Sequence, residues 1–369
     1  MNKYWNPERN GIVELMKSER FVDKTGLIAY TNRVLRTEQK YVYQSRPAGF
    51  GKTTAAKMLC AYYEKRVTTV ADMFQNTEIA SHSSFSEHLN QHNVIYLDMD
   101  SICQKKDESE TIMDYVRDGV LAEIEADYAE YMPAGERALS YILDYIYAYD
   151  KSCEGFVFII DNWDTPLNYM DVLEERLAYV DFICSLLKDK SYVELAYMTG
   201  ELPIKKYGTQ GGLNMFDEFT MLRPTLLAQY FGFTAKEVQT LCAQQHLDFE
   251  QVKQQCGGYQ LKKELQVYPP DLVFQAVFGK EDILADSTEL LQNLLRQKVN
   301  GLDEAVEQLI HGGQCQVHTG TFVNDKTTFY FVDDVLTLLV HLGYLTYDQE
   351  SQTVYIPNET MREMFMQVK

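Results

Sequence analysis

The chain has 369 residues, 46% of them hydrophobic, and a formal net charge of −20. That length suits roughly two or three domains with real cores, and the acidic balance argues against an extended nucleic-acid surface, which needs a basic stripe to hold a phosphate backbone. No run of about 18 apolar residues reads as a membrane span, and the opening residues, Met1 to Glu8, lack the apolar core of a secretion signal, so a cytoplasmic protein is expected. The 7 cysteines, at 60, 103, 153, 184, 242, 256 and 315, are scattered and unpaired in pattern, which reads as reduced thiols with no disulfide framework or zinc site.

In chain order, the first informative segment is a strand-like run from Lys40 to Gln44. It is followed by Ser45-Arg46-Pro47-Ala48-Gly49-Phe50-Gly51-Lys52-Thr53-Thr54 and an amphipathic helix from Ala55 to Tyr63. Strand, glycine-bearing turn ending Gly-Lys-Thr, then helix is the context of a phosphate-binding P-loop. Backbone N–H groups of such a loop converge on phosphates, and the helix N-terminus adds its positive end. Arg46 to Thr54 are therefore the candidate nucleotide-binding residues, with Lys52 aimed at the β- and γ-phosphates and the Thr53 hydroxyl at Mg²⁺. Arg46 stands where the usual pattern has its opening glycine, and a surface turn before a helix also favours Gly and Thr.

Val94 to Met99 reads as the next strand, and the acidic stretch 107–150 as a long helical segment with solvated faces. Within it Tyr141, Tyr145 and Tyr149 recur every fourth residue, which suits one face of a partly buried helix better than a base-stacking platform. Phe156 to Ile160 is a continuous apolar run, as a strand covered on both faces requires. It ends in Asp161, where a carboxylate would orient the Mg²⁺ shell, so Thr53 and Asp161 are the metal candidates. A helix over 171–188 and a strand over 192–198, ending at Thr199, complete an α/β order.

After Arg223-Pro224-Thr225 the pattern turns helical. Thr234 and Glu237 have capping-box spacing, and a helix over 248–256 stops at Gly257-Gly258-Tyr259. The expectation is a core over 1–225 and a helical lid over 226–285. Arg223 is a candidate sensor at the lid hinge, against the plainer reading of a surface arginine before a proline. From 286 to 369, helices lead into an amphipathic run, Val332 to Leu342, then strand, polar turn and strand up to Ile356. Such a module is winged-helix-like. The only short basic pairs considered, Lys205-Lys206 and Lys262-Lys263, are slight, and Lys326 alone precedes the module's helix. Protein contact, self-association or intramolecular docking through the lid or this module is expected ahead of DNA binding.

Phe21-Val22-Asp23-Lys24-Thr25, the Ser-Arg-Pro…Phe-Gly-Lys-Thr loop, the Ile160-Asp161-Asn162-Trp163-Asp164 strand end, and the runs Ala196 to Gly208, Leu213 to Phe219 and Asp333 to Leu345 together resemble the bacterial AAA-ATPase-like family over most of the chain. The resemblance implies an α/β P-loop NTPase (AAA/STAND-like) parallel sheet with a helical lid, with another strand lying between the P-loop strand and the Asp161 strand. It implies ATP and Mg²⁺ as cofactors, makes Arg46 the expected residue at its position, and makes Thr199 a candidate to touch the γ-phosphate or the attacking water, against the plainer reading of a threonine that caps the strand–loop turn before Gly200. Members are often fused to a C-terminal PD-(D/E)XK nuclease domain. No such catalytic pattern follows a strand here, and the chain stops at Lys369, about where that domain would begin; a truncated chain and a member without the effector both fit.

Two departures bear on activity. The family's basic pair after Arg-Pro is Ala48-Gly49 here, so fewer positive charges face the triphosphate. Its Asp-Glu strand end reads Asp161-Asn162. In hydrolysing relatives that Glu accepts the proton of the attacking water; an amide can hold a water but cannot act as a base, a loss of about 10²–10⁴ in rate. Asn162, Asp164, Thr199 and Arg223 form the candidate catalytic set. One reading is a nucleotide-gated switch with Mg²⁺-dependent ATP binding and slow hydrolysis. The other is an active ATPase whose base is Asp164 or another carboxylate, coupling turnover to lid and C-terminal movement for a nuclease-type effector. Restored turnover in Asn162→Glu would identify the missing base.

Overall fold

The computed structural model describes residues 2–7, 10–65, 70–107, 109–133, 135–204, 212–263, 265–279 and 285–369; the Lys205-Lys206 pair and the end of the Ala196 to Gly208 run lie outside them. The chain divides into two compact units. One holds residues 1–44, 53–200 and 206–218, the other 45–52, 201–205 and 219–369.

The first unit is built on a sheet of β1 (Tyr41–Ser45), β2 (Asn93–Asp98), β3 (Phe156–Asp161), β4 (Val193–Gly200) and β5 (Asp217–Phe219), in the order β2-β3-β4-β1-β5. β2, β3 and β4 run parallel, with Asn93 beside Phe156 and Asp98 beside Asp161. Every residue of β1, β3 and β4 is buried, which is why β3 reads as an unbroken apolar run and not as an alternation. β4 lies between the P-loop strand β1 and the Asp161 strand β3, the order the family resemblance implies. Helices Gly26–Val34, Lys52–Tyr63, Ile112–Tyr128, Leu139–Tyr149 and Leu173–Leu187 belong to this unit.

Two local readings change. The acidic stretch is not one helix: it breaks between Tyr131 and Leu139, where Pro133 and Gly135 (φ 81°) stand, residues that lack an N–H and adopt a left-handed backbone respectively. The tyrosine ladder is on the solvent side. Leu139, Ile142, Leu143 and Ile146 are the buried residues of that helix, while the Tyr145 and Tyr149 rings approach each other to 4.3 Å between centroids.

In the second unit the Thr234–Glu237 capping box forms as its spacing predicts: Thr234 Oγ1 accepts from the Glu237 N–H at 3.4 Å, and Glu237 Oε2 accepts from the Thr234 N–H at 2.6 Å. The segment 226–285 is not wholly helical. β6 (Phe233–Thr234), β7 (Tyr259–Lys262) and β8 (Leu265–Tyr268) form an antiparallel sheet ordered β6-β8-β7, with helix Phe249–Cys256 before β7 and helix Pro270–Phe278 after β8 in the chain. Its signature is the alternation in β7, with Tyr259 and Leu261 buried and Lys262 exposed. Further on, β9 (Cys315–Gln316), β10 (Thr346–Asp348) and β11 (Thr353–Tyr355) form a second sheet, ordered β10-β11-β9, with helix Val332–His341 between β9 and β10 in the chain; helix Glu359–Val368 follows β11. All seven cysteines are free, and no helix among the described residues is long and apolar enough to cross a membrane.

His341 gives this unit a pH dependence. It is buried, stacks on Phe322 at 5.8 Å and has its pKa pushed down to about 3, first by burial and then by the Arg46 charge. The unfolded chain takes up a proton near pH 6.5 that the folded chain refuses, so the stability from neutral His341 is full above that pH and is lost as pH falls. Between pH 7 and pH 5 the expected loss is about 2 kcal/mol, measurable by urea titration at both pH values. His341→Phe should flatten this part of the slope.

Candidate nucleotide site

The loop between β1 and helix Lys52–Tyr63 belongs mainly to the second unit. Gly49 (φ 77°) and Gly51 (φ 86°) both occupy the left-handed region, which a side-chain-bearing residue enters only at a cost. A Cβ on Gly49 would also stand 3.0 Å from Asp271 Oδ2. Lys52 is buried, and its Nζ donates to the carbonyls of Arg46 at 2.8 Å and Pro47 at 2.9 Å. The ammonium is thus held inside the curve of its own loop. Arg46 is fully buried: Nη1 donates to Ser45 O at 2.8 Å and Phe219 O at 3.2 Å, and the guanidinium lies over the Phe231 ring at 5.8 Å. Ala48 is exposed, Gly49 and Gly51 half-buried, Pro47 and Phe50 buried.

The loop packs on its own unit. Phe50 meets Tyr259 edge-to-face at 5.3 Å, and a Cβ on Gly343 would stand 2.9 Å from Pro47 Cβ. Beside these residues lies a pocket whose lining includes Gly49, Asp271, Tyr344, Met361 and Met364. Glu201 pairs with Lys326 at 2.7 Å. Burial raises the Glu201 pKa, but Lys326 and then Lys52 outweigh it, and the carboxyl is held below its ordinary value. Arg223 is exposed, with its backbone closing a turn on Thr220.

In the first unit the C-terminal ends of β2, β3 and β4 carry a second constellation. Asp161 is fully buried, and its Oδ1 accepts from the Thr199 hydroxyl at 2.6 Å. The same hydroxyl oxygen accepts from the Asn162 N–H at 2.9 Å. Asn162 has φ 53°, a conformation asparagine tolerates better than most residues. Its Nδ2 donates to Asp100 Oδ2 at 2.7 Å, and the Thr165 hydroxyl donates to Asp100 Oδ1. Asp164 turns elsewhere: a Cβ on Gly200 would lie 2.9 Å from Asp164 Oδ1 and still nearer the Tyr43 hydroxyl. Thr53 and Thr54 open their helix, Thr53 half-buried and Thr54 exposed. Asp161, Asn162 and Thr199 therefore meet in one network.

Sequence reasoning missed Asp100, Glu201 and Lys326. A signal existed for Asp100, because β2, like β3, is an apolar run ending in acid: Asn93-Val94-Ile95-Tyr96-Leu97-Asp98-Met99-Asp100.

The Predicted AAA-ATPase family model matches residues 14–209, just over half of the chain, spanning the loop, Asp161 and Thr199. The chain belongs to the predicted AAA-ATPase family. No curated protein matches this family member. Among solved structures it is similar to that of the Aeropyrum pernix ORC2 protein (ADPNP-ADP complexes), at 11% identity and a TM-score of 0.40, over 99% of this chain and 98% of that one.

Within the strand-end network of this family member, Thr199 is the joint between Asp161 and Asn162. Thr199→Val keeps the shape and removes the hydroxyl, leaving a buried carboxylate oxygen and an N–H short of a partner. A loss of about 1–3 kcal/mol is expected in urea unfolding, with Thr199→Ser recovering most of it.

Proposed function

We propose that the protein binds ATP with Mg²⁺ and holds it with slow hydrolysis, as a nucleotide-gated switch. The observation that carries this reading is the end of β3: Asp161 is present for the metal, while Asn162, in place of a base, spends its side-chain amide as a donor to Asp100. In this reading the loop amides and Lys52 take the phosphates, Thr53 and Asp161 hold Mg²⁺ with phosphate oxygens and water, and Thr199 fixes Asp161. The donor set suits a hard cation. A carboxylate offers about four lone-pair sites, and the Thr199 hydroxyl takes one of them at Oδ1. Among the described residues no cluster of three or more His, Cys, Asp or Glu side chains is placed to hold a metal, so the nucleotide's own oxygens would complete the shell. Bound Mg²⁺ would neutralise charge on the β- and γ-phosphates.

The loop's packing on Tyr259, Asp271 and Gly343 supports a switch, because phosphate entering the loop would press on segments here taken as lid (226–285) and winged-helix-like module (286–369), the nucleotide core being 1–225. With a charge of −20, the output is read as contact with a protein partner in the cytoplasm, without nucleic acid. The second reading, an active ATPase, is favoured by the carboxylate of Asp100 beside Asn162. Nucleotide recovery separates the two: protein loaded with ATP and Mg²⁺, freed of excess nucleotide and denatured after several minutes should yield mainly ATP. Recovery of ADP alone within seconds would overturn the switch.

A further inference from the structure

We propose that Asp100 is the proton acceptor in the slow ATP hydrolysis of the proposed switch, a role nothing in its own sequence motif assigns to it. The inference rests on the reading that MgATP is bound by the P-loop and the strand ends. β2 and β3 are adjacent and parallel, with Asp98 beside Asp161, so the residues that follow each strand emerge side by side. Asp100 lies two residues past Asp98, and Asn162 one past Asp161. Their side chains meet at 2.7 Å, and the Thr165 hydroxyl fixes the other carboxylate oxygen. Two donors occupy two of about four acceptor sites, leaving a half-buried Asp100 able to accept a further proton. Through Asn162 and Thr199 the same hydrogen-bonded chain reaches Asp161.

The arrangement also accounts for an amide at 162. A carboxylate so close to Asp100 would set two like charges in contact, and one would be driven to its neutral form; an amide supplies the donor that Asp100 accepts from. Competing carboxylates are otherwise engaged: Asp164 faces Gly200 and Tyr43, and Glu201 is paired with Lys326. In the proposed step a water oxygen forms a bond to the γ-phosphorus while one of its O–H bonds breaks and the proton passes to the Asp100 carboxylate. The bond from the γ-phosphorus to the β–γ bridging oxygen breaks, its electron pair leaving with ADP. Asp100 then returns the proton to solvent.

The test uses the full chain, with phosphate release at saturating MgATP and calorimetric MgATP affinity measured on each variant. Asp100→Asn keeps the size, and the Thr165 hydroxyl can turn to accept from the new amide. It should lower turnover by about 10²-fold, with MgATP affinity within about two-fold of wild type. Asp100→Ala should lose turnover similarly and regain part of it with added formate, a rescue that a purely structural role would not show. Asn162→Glu should fail to raise turnover. Turnover unchanged in Asp100→Asn with binding intact would overturn the assignment alone, as would a wild type that binds MgATP but releases no phosphate above background. A wild type that binds no MgATP would overturn the binding reading and this inference together.

Discussion

Lys52→Ala is expected to weaken MgATP binding by about 10²–10³-fold while leaving the protein folded. The Lys52 ammonium donates to the Arg46 and Pro47 carbonyls at 2.8 and 2.9 Å, which holds it inside the loop that would receive phosphate. Hydrogen bonds to charged groups contribute about 1.5–3 kcal/mol each, and losing one or two such bonds to phosphate corresponds to two or three decades in affinity at 1.4 kcal/mol per decade. The exposed neighbour Ala48 carries no charge to compensate. Calorimetric titration of the variant checks this, with the thermal midpoint as the control for folding. Affinity within a few-fold of wild type would mean that Lys52 does not face the triphosphate.

Gly258→Ala should unfold the second unit or leave it barely stable. Gly258 has φ 91°, and a Cβ there would collide with the Pro357 carbonyl oxygen. Neither side can yield easily. Asn358, next to Pro357, donates to Gly257 O at 2.9 Å and caps helix Glu359–Val368 by accepting from the Met361 N–H at 3.0 Å. The Tyr259 hydroxyl, one residue on, donates to Gly343 O at 2.7 Å. Left-handed backbone costs an alanine about 1 kcal/mol or more, and the backbone collision adds to it, so a total of about 4 kcal/mol or more is expected. Urea unfolding with a probe in this unit reads it directly. A variant as stable as the parent would show that Gly258 and Pro357 are not so close.

What was legible in the sequence was local chemistry. The strand, turn and helix around Gly49 to Lys52, the buried strand ending at Asp161, and the Thr234–Glu237 capping box each sit within a short run of residues, and each forms at the predicted place. The family resemblance added the strand order. Gly257 and Gly258 were readable as a helix stop, but the stronger reason for glycine at 258 is the Pro357 carbonyl, about a hundred residues away in the chain. Reading that stop as the close of a helical segment also concealed β7 and β8, although Tyr259 to Lys262 alternates.

Asp100 was hidden for a related reason. Its partner Asn162 is 62 residues distant, and only the β2–β3 register brings the two together. Glu201 and Lys326, 125 residues apart, pair through folding that no spacing encodes. Arg46 shows the converse. The family resemblance marks it as expected, and the structure shows its guanidinium buried against backbone carbonyls and Phe231. The tyrosine ladder at 141, 145 and 149 has helical spacing, but periodicity identifies a face without saying which side is inside; the neighbouring Ile142, Leu143 and Ile146 take the core.

The central claim, that this chain is a Mg²⁺-dependent ATP binder, is tested most directly by calorimetric titration of ATP into the wild-type protein with and without Mg²⁺. The account predicts saturable binding of one nucleotide per chain that weakens sharply when Mg²⁺ is chelated. A folded protein that shows no saturable heat with millimolar MgATP would contradict it.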